Sequence, residues 1–364
     1  MRTLPFFPPK AFAAERRKTL ELVRRIGLDP AQRFALGPAV AELERVISEQ
    51  IGARHAVACG SGSGALDLAV AGVRIEPGDE VVVPAFGCQP IAGMIVGRGG
   101  VPVFADVSAE TLVIDPDAAE AAISPRTVAI VPTHIFCTMA DMPAFRAMAG
   151  RHGLAVVEDA AVAYGASLDG LAAGRWGDAG VFSYAQFKPL GGIGEGGVVV
   201  TDDDEIAARC RESRRHHGMD ELTARFLLLR HAGFTERMRR KAEIAARYDE
   251  AFAPLAEAGL VALPSAVPAP GRFSHVYAVL TDRRDELAEH LRAQGIGTHV
   301  YYPVPLPRQD AFARFGRGLF PRAQAVCDRN LAIPVWPGLN DDEVAHVIRS
   351  VLAFHGVRPG RIPG

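Results

Sequence analysis

Between residue 55 and about residue 205, short apolar runs typical of β-strands alternate with segments that have the spacing of amphipathic helices. The runs "DEVVVPA", "VAIVPTH" and "LAVVED" are three of the strand-like segments, and "MPAFRAMAGRHG" is one of the helical ones. Apolar strands that alternate with helices are typical of a parallel sheet covered by helices on its faces. The pattern therefore predicts an α/β domain with a mostly parallel sheet.

After about residue 221 the pattern changes to long charged helices, and these are followed by shorter elements such as "FSHVYAVL" and "DDEVAHVIRSVLAFHG". This change predicts a small α+β unit at the C-terminal end. We place the boundary near residue 246, which gives a large domain over residues 1–245, including the N-terminal segment, and a small C-terminal domain over residues 246–364. The arginines and lysines of the long helices are interpreted as a solvated face.

The charge balance argues against nucleic acid or a membrane surface as partner, because 40 basic residues nearly cancel 42 acidic ones. Five scattered cysteines lack the spacing of a zinc site or a disulfide framework, which favours a reducing cytoplasm. The neighbours His216 and His217 point about 100° apart on a helix, so they do not chelate a metal and are interpreted as surface or loop residues. We expect a cytoplasmic protein that binds small molecules or a second copy of itself.

Polar residues end several of the expected strands, as at Asp106, His134 and Asp159. Ligands of open α/β sheets gather at the carboxyl ends of the strands. We therefore expect the site to lie near these residues.

The stretch "SYAQFKPLGGIGEGGVVVTDD" places Lys188 before a glycine-rich loop. Gly192, Gly194 and Gly197 formally match G-x-G-x-x-G, but in a dinucleotide-binding protein that motif opens a helix, whereas here it runs into a strand. The dinucleotide interpretation is therefore rejected. Taken alone, Lys188 would be interpreted as a solvent-exposed residue of a flexible turn.

Two other segments change that interpretation. In "CGSGSGALDLAVAGV", Gly62, Ser63 and Gly64 open a helix whose free N–H groups suit a phosphate, although Ser63 could also be a simple helix cap. In "GLAVVEDAAVAYGAS", Asp159 ends a buried strand, where a carboxylate needs a cation or several donors unless it caps a helix. A lysine for an aldehyde, a carboxylate for a ring nitrogen and a phosphate cup together indicate pyridoxal 5'-phosphate (PLP). Lys188 would then form the Schiff base and carry a proton.

Segments along nearly the whole chain, among them "PGDEVVVPAF", "VVEDAAVAYGA" and "GIGTHVYYPVPL", resemble the DegT-type sugar aminotransferases. The resemblance implies PLP fold type I, like that of aspartate aminotransferase, and a homodimer with active sites at the subunit interface. It also implies transfer of an amino group from an amino acid such as glutamate or glutamine to a keto sugar. That acceptor would be nucleotide-linked or a related cyclic ketone of amino-sugar or antibiotic biosynthesis.

The resemblance assigns individual roles. Lys188 would be the Schiff-base lysine and Asp159 the partner of the pyridine nitrogen, while Ser63 and Ser183 would bind the cofactor phosphate together with the N–H group of Gly64. His134 matches a family segment, but a histidine that ends a buried strand is interpreted as hydrogen-bonded in place and not as catalytic.

The sequence also departs from the family pattern. Cys88 stands where an aromatic residue usually stacks on the cofactor ring, Gly87 replaces the preceding threonine, and Val162 replaces a polar residue that faces the phenolic oxygen. An Asn-Tyr-Arg loop that reaches the partner subunit's cofactor is missing after "RRHHG". Each departure removes one expected contact with the cofactor.

Two other functions stay open at this point. The departures lie around the cofactor, so a different PLP reaction such as dehydration or decarboxylation is one alternative, and a non-catalytic partner subunit of an aminotransferase is the other. Relatives that perform dehydration carry histidine at the lysine position, so Lys188 favours transamination. Lys188 and Asp159 together argue against a non-catalytic chain.

Overall fold

A computed structural model describes residues 3–8, 12–25, 28, 33–264 and 271–357. The first half of the chain contains α1 (Arg16–Arg25), α2 (Pro38–Ile51), β1 (His55–Cys59), α3 (Gly62–Gly72), β2 (Glu80–Pro84), α4 (Pro90–Gly97), β3 (Val101–Ala105), α5 (Pro116–Ala121), β4 (Thr127–Ile130), α6 (Met142–His152) and β5 (Ala155–Asp159). The second half contains β6 (Ser167–Leu168), β7 (Leu171–Ala172), β8 (Ala179–Ser183), β9 (Gly197–Thr201), α7 (Asp204–Ser213), α8 (Glu221–His231), α9 (Phe234–Glu257), β10 (Tyr277–Leu280), α10 (Arg284–Ala293), α11 (Pro321–Arg329), β11 (Asn330–Ile333) and α12 (Asp341–Phe354).

Seven strands form one sheet in the order β1-β9-β8-β5-β4-β2-β3. The pairs from β8 to β3 are parallel, whereas β9 runs antiparallel to both β1 and β8. The prediction of an α/β fold with a mostly parallel sheet is therefore confirmed.

The middle of the sheet consists of buried strands whose residues are mostly apolar. Every residue of β2, β8 and β9 is buried. Such two-sided burial explains why these strands appear in the sequence as continuous apolar runs instead of an alternating pattern.

A second hydrophobic cluster forms around the two-stranded antiparallel sheet β10-β11. It includes Ile244 and Phe252 of α9, Val279 of β10 and Val347 of α12, and Leu4 from the N-terminal segment also belongs to it. The expected domain boundary near residue 246 falls inside α9 and stays a prediction. Among the described residues, no helix combines the length and apolar character that a bilayer crossing requires.

Candidate active site

The carboxyl ends of two neighbouring parallel strands bring the first site residues together. Strand β5 ends at Asp159 and β8 ends at Ser183, and the two strands pair in parallel, so both residues lie at the same edge of the sheet. This is the edge at which open α/β sheets bind their ligands.

Asp159 is a buried carboxylate with little direct compensation. Its side chain is only 1% exposed and accepts a hydrogen bond from the N–H group of Ala161 at 3.0 Å. Within the described ranges, no cationic atom lies within 4.0 Å of this carboxylate. Burial raises the pKa of Asp159, and the Ala161 hydrogen bond and the charge of Lys188 oppose that shift. Asp159 therefore has the capacity to bind a further cationic group.

Lys188 lies in the turn that follows β8, where its backbone N–H group donates to the carbonyl oxygen of Ala185 at 2.8 Å. Its charge acts on Asp159, on Cys88 and on His275, so its ammonium group lies in the neighbourhood of all three. The loop then folds back closely, since a Cβ atom at Gly191 would lie 2.7 Å from the carbonyl oxygen of Gln186. Gly191 also has a φ of 45°, which favours glycine. The glycine-rich loop therefore turns the chain sharply after Lys188.

The first turn of α3 lies beside Ser183. A Cβ atom at Gly62 would lie 2.6 Å from both Cβ and Oγ of Ser183, so only glycine allows this approach. The structure thus places Gly62 directly against Ser183, and the role of Gly62, Ser63 and Ser183 as a phosphate cup stays a prediction.

Ser61, and not Ser63, caps α3. The hydroxyl oxygen of Ser61 accepts a hydrogen bond from the N–H group of Gly64 at 3.0 Å. The alternative that Ser63 serves as the cap is therefore wrong, and its half-buried side chain lies in the first turn instead. The role expected for the Gly64 N–H group stays a prediction, because that group is bonded to Ser61 here.

Cys88 follows β2 and is half-buried near the same group of residues. Burial raises the pKa of its thiol to about 11, and the charge of Asp159 adds to that shift while Lys188 opposes it. The Tyr302 side chain lies beside this thiol. Val162, three residues after Asp159, is also half-buried, and its expected place at the cofactor stays a prediction.

Asp106, one of the polar residues at the strand ends, has a structural role. Asp106 accepts hydrogen bonds from the backbone N–H groups of Arg322 and Ala323 at 3.1 and 2.8 Å, so it caps α11. The expectation that Asp106 lies at the site is wrong, because β3 is the edge strand of the sheet and two strands separate it from β5.

His134 is fixed by hydrogen bonds on both sides of its ring. Its Nδ1 atom accepts from the N–H group of Ala140 at 3.0 Å, so Nε2 carries the proton and donates to Glu158 at 2.8 Å. Glu158 also accepts from the N–H groups of Gly174 and Trp176. The interpretation of His134 as a residue held in place is confirmed.

His217 contacts the region of α3 without forming a metal site. Its Nε2 atom lies 3.4 Å from Asp67, and its carbonyl oxygen accepts from Gly60. The side chain of His216 lies outside the described part of the chain. The described residues contain no group of three or more His, Cys, Asp or Glu side chains able to hold a metal ion.

A cavity of about 740 Å³ opens beside Lys188 and is lined by residues that sequence reasoning missed. Its walls include Lys241 of α9, His275 before β10, and the aromatic residues Phe7, Phe187 and Tyr301. No periodicity or motif in the sequence singles these residues out, because they come from distant segments that only the fold brings together.

The chain is similar to characterised proteins along nearly all of its length. It is 36% identical to a pleiotropic regulatory protein of Geobacillus stearothermophilus, over 89% of this chain and 91% of that protein. It is 35% identical to the dTDP-3-amino-3,4,6-trideoxy-alpha-D-glucose transaminase of Streptomyces venezuelae, over 96% and 95% respectively. The crystal structure of S. venezuelae DesV in complex with a ketimine intermediate superimposes with a TM-score of 0.89 at 35% identity, covering 97% of this chain and 99% of that one.

These likenesses confirm the expectation of an aminotransferase with the fold of the PLP-dependent transaminases. The family model of the DegT/DnrJ/EryC1/StrS aminotransferases matches residues 16–352. The chain therefore belongs to the DegT/DnrJ/EryC1/StrS aminotransferase family.

Proposed function

We propose that this enzyme uses PLP to move an amino group from an amino acid, glutamate or glutamine, onto the keto group of a nucleotide-linked sugar. The observation that carries the proposal is the convergence of Lys188, Asp159 and the Ser183–α3 contact at the carboxyl edge of the sheet. The dTDP-sugar transaminase among its relatives supports a nucleotide-linked acceptor.

The residues at this edge fit the proposed cofactor. The buried Asp159 carboxylate lacks a cation within 4.0 Å in the described ranges, and a protonated ring nitrogen would supply one. The first turn of α3, with Ser63 and Ser183, would hold the phosphate, since helix N-termini favour anions. Cys88 would contact the ring, Val162 would lie at the position that faces the phenolic oxygen, and the Lys188 amine would bind the aldehyde carbon.

When bound, PLP supplies an electron sink for the carbanion that forms at the substrate carbon. Asp159 holds the proton at the ring nitrogen, which keeps that sink effective. The Nζ atom of Lys188 would accept a proton from the substrate carbon and would deliver it to the carbon on the other side of the transferred nitrogen.

We propose a homodimer in which the second copy completes the site, as the family resemblance implies. The shortened connection after His217 removes the usual loop to the partner, so other residues would bind the nucleotide portion. Cys88 would give van der Waals contact to the ring where relatives use aromatic stacking.

The proposal is tested by absorbance spectroscopy of the purified protein with PLP during addition of single amino acids. Glutamate or glutamine is expected to shift the cofactor band and to release the matching keto acid in equal amount. Adding a nucleotide-linked keto sugar should then restore the band and yield an amino sugar. A band that no amino acid shifts would refute the proposal, and loss of water from the sugar without amine transfer would assign dehydration instead.

A further inference from the structure

Lys241 on α9 is a buried cation without a carboxylate partner. Its side chain is 9% exposed, and its Nζ atom donates a hydrogen bond to the carbonyl oxygen of His275 at 2.6 Å. Across residues 3–8, 12–25, 33–264 and 271–357, no carboxylate lies within 4.0 Å of this ammonium group. Burial lowers its pKa to about 7.

The two arginines of the same cavity share one carboxylate, that of Glu15. Arg230 contacts Glu15 at 3.2 Å and donates to the carbonyl oxygen of Leu190, and Arg237 lies 3.8 Å from Glu15. Lys188 would be consumed in binding the proposed cofactor. Among the described residues that line this cavity, Lys241 is therefore the cation that has neither a carboxylate nor the proposed cofactor as a partner.

The surroundings connect Lys241 to Lys188. Both residues line the same cavity, and His275 lies within electrostatic range of both. Burial holds the pKa of His275 well below its usual range, and the charges of Lys241 and Lys188 act in the same direction. His275 is thus a neutral side chain between two lysines and adds no negative charge to the cavity.

A buried ammonium group without an anion is costly, and an anionic ligand would relieve that cost. We propose that Lys241 binds a carboxylate of the amino-acid donor while the donor's amine reacts near Lys188, an inference that rests on the proposed function. One of the three ammonium hydrogens is donated in the hydrogen bond to the carbonyl oxygen of His275, which leaves two to donate to a carboxylate.

The charge count favours a carboxylate over the diphosphate of a nucleotide sugar. With Lys188 bound to the proposed cofactor, the described lining of the cavity has three cations, Arg230, Arg237 and Lys241, and two carboxylates, Glu15 and Glu343. The one net positive charge matches one carboxylate, whereas a diphosphate carries more negative charge than remains to be neutralised. The cavity also presents apolar side chains, among them Met238, Val276 and Trp336. Such a lining suits the methylene groups of glutamate or glutamine.

The first test measures binding of glutarate to the cofactor-free, full-length protein by calorimetry. Replacing Lys241 with Met should weaken glutarate binding by at least about tenfold, since removing one partner of a buried charge pair costs several kcal/mol. Lys241→Arg should retain most of the affinity because the charge persists. Arg239→Met is the matched control, since Arg239 lies on the same helix, is 59% exposed and pairs with Glu236 and Glu243.

A second measurement uses the PLP-loaded protein. In Lys241→Met the glutamate concentration for half-maximal band shift should rise at least about tenfold, while reaction with n-butylamine, which has no carboxylate, should be unchanged. Thermal unfolding of each variant establishes that it is folded. If Lys241 were merely structural, Lys241→Met would alter stability but would change the reactions with glutamate and with n-butylamine to the same extent.

Three results would overturn the proposal. One is glutarate binding by folded Lys241→Met at wild-type strength, and another is absence of glutarate binding to the native protein. The third is displacement of glutarate by uridine diphosphate when that diphosphate also loses affinity in Lys241→Met. This result would show that Lys241 binds the acceptor instead of the donor. Because glutarate binding is measured without cofactor, its failure would leave the proposed binding of PLP by Lys188 untouched.

Discussion

Asp159 and Asp106 both end a buried strand, yet their surroundings give them different roles. Asp106 accepts hydrogen bonds from the first turn of α11 and contacts Arg322, so its charge is compensated within the fold. Asp159 receives one backbone hydrogen bond and is more deeply buried. A buried carboxylate with so few partners is expected to destabilise the cofactor-free protein.

The pH dependence of stability follows from this difference. Burial raises the pKa of Asp159, so the folded state holds the proton at a pH where the unfolded state has released it. Stability is therefore lost as the pH rises from the unfolded pKa through the folded one. Asp159→Asn cannot ionise and is expected to raise the free energy of unfolding by about 1–3 kcal/mol near pH 8, and by less near pH 5.

Thermal or urea unfolding of the cofactor-free protein at both pH values measures this effect. The matched control, Asp106→Asn, should lower stability at both pH values. An amide nitrogen would then face one of the N–H groups from which the carboxylate now accepts a hydrogen bond. Equal destabilisation by the two variants would contradict the assignment of Asp159.

Lys188 is expected to be indispensable for transamination and dispensable for folding. Its side chain is half-buried and forms no hydrogen bond to another side chain in the described part of the protein, while its backbone N–H group is bonded in the turn. Lys188→Ala should reduce amino transfer by at least about a thousandfold, since it removes both the covalent anchor and the proton carrier. Activity assays with circular dichroism of the same sample measure both, and turnover at the wild-type rate would refute the role.

Cys88 predicts weak retention of PLP. An aromatic residue at this position would add about 0.5–1.5 kcal/mol by stacking, so Cys88→Phe should slow cofactor loss by up to about tenfold. The new ring has to displace Tyr302, which lies beside the thiol. Equilibrium dialysis followed by cofactor absorbance compares this variant with Cys88→Ala. Tight retention by the native protein, with no gain from Phe, would indicate that other groups replace the stacking contact.

At the level of elements, the contact between α3 and β8 positions the proposed phosphate cup. Gly62→Ala would place a methyl group 2.6 Å from the Cβ and Oγ atoms of Ser183. The variant should be destabilised by about 1–3 kcal/mol, because overpacking forces the helix away from the strand. It should also bind PLP more weakly, since the two sides of the cup separate.

A double variant tests whether the Ser183 contact is the cause. Gly62→Ala combined with Ser183→Gly should recover most of the stability lost in the single variant, since the atoms that clash are removed. Chemical denaturation of all four proteins gives the coupling energy. Additive effects would show that the cost of Gly62→Ala arises elsewhere.

At the level of the whole molecule, α1 exposes apolar side chains that a second copy of the chain would be able to cover. None of its residues is fully buried, and Leu20 and Val23 are 52% and 49% exposed. A short helix with so little packing is marginal in water unless another surface covers its apolar side. We therefore expect α1 to lie in or near the dimer interface.

Light scattering should give a mass near twice the 38.8 kDa of one chain. Leu20→Glu is expected to shift the protein toward the monomer, because it places a charge in the interface. Leu319→Glu is the control, since Leu319 is 82% exposed on a different segment. An active native monomer, or identical behaviour of the two variants, would remove this expectation.

The sequence alone determined the fold class and the main members of the proposed site. Helix-covered strands have continuous apolar runs, and polar residues such as Asp159 stand out at their ends. Lys188 and the Gly-Ser-Gly turn carry enough local chemistry to indicate a PLP site, because each needs a specific residue type in a specific backbone context. Such local features can be recognised in the sequence without knowledge of the packing.

Only the tertiary structure decided which polar residues are satisfied within the fold. The sequence gives Asp106 and Asp159 the same strand-end pattern, but the strand order places Asp106 under α11 and Asp159 near Lys188. Likewise, Lys241 has the appearance of a solvated helix residue until the packing of α9 buries it beside His275. Burial and partners depend on contacts between distant segments, and those contacts leave no periodic trace in the sequence.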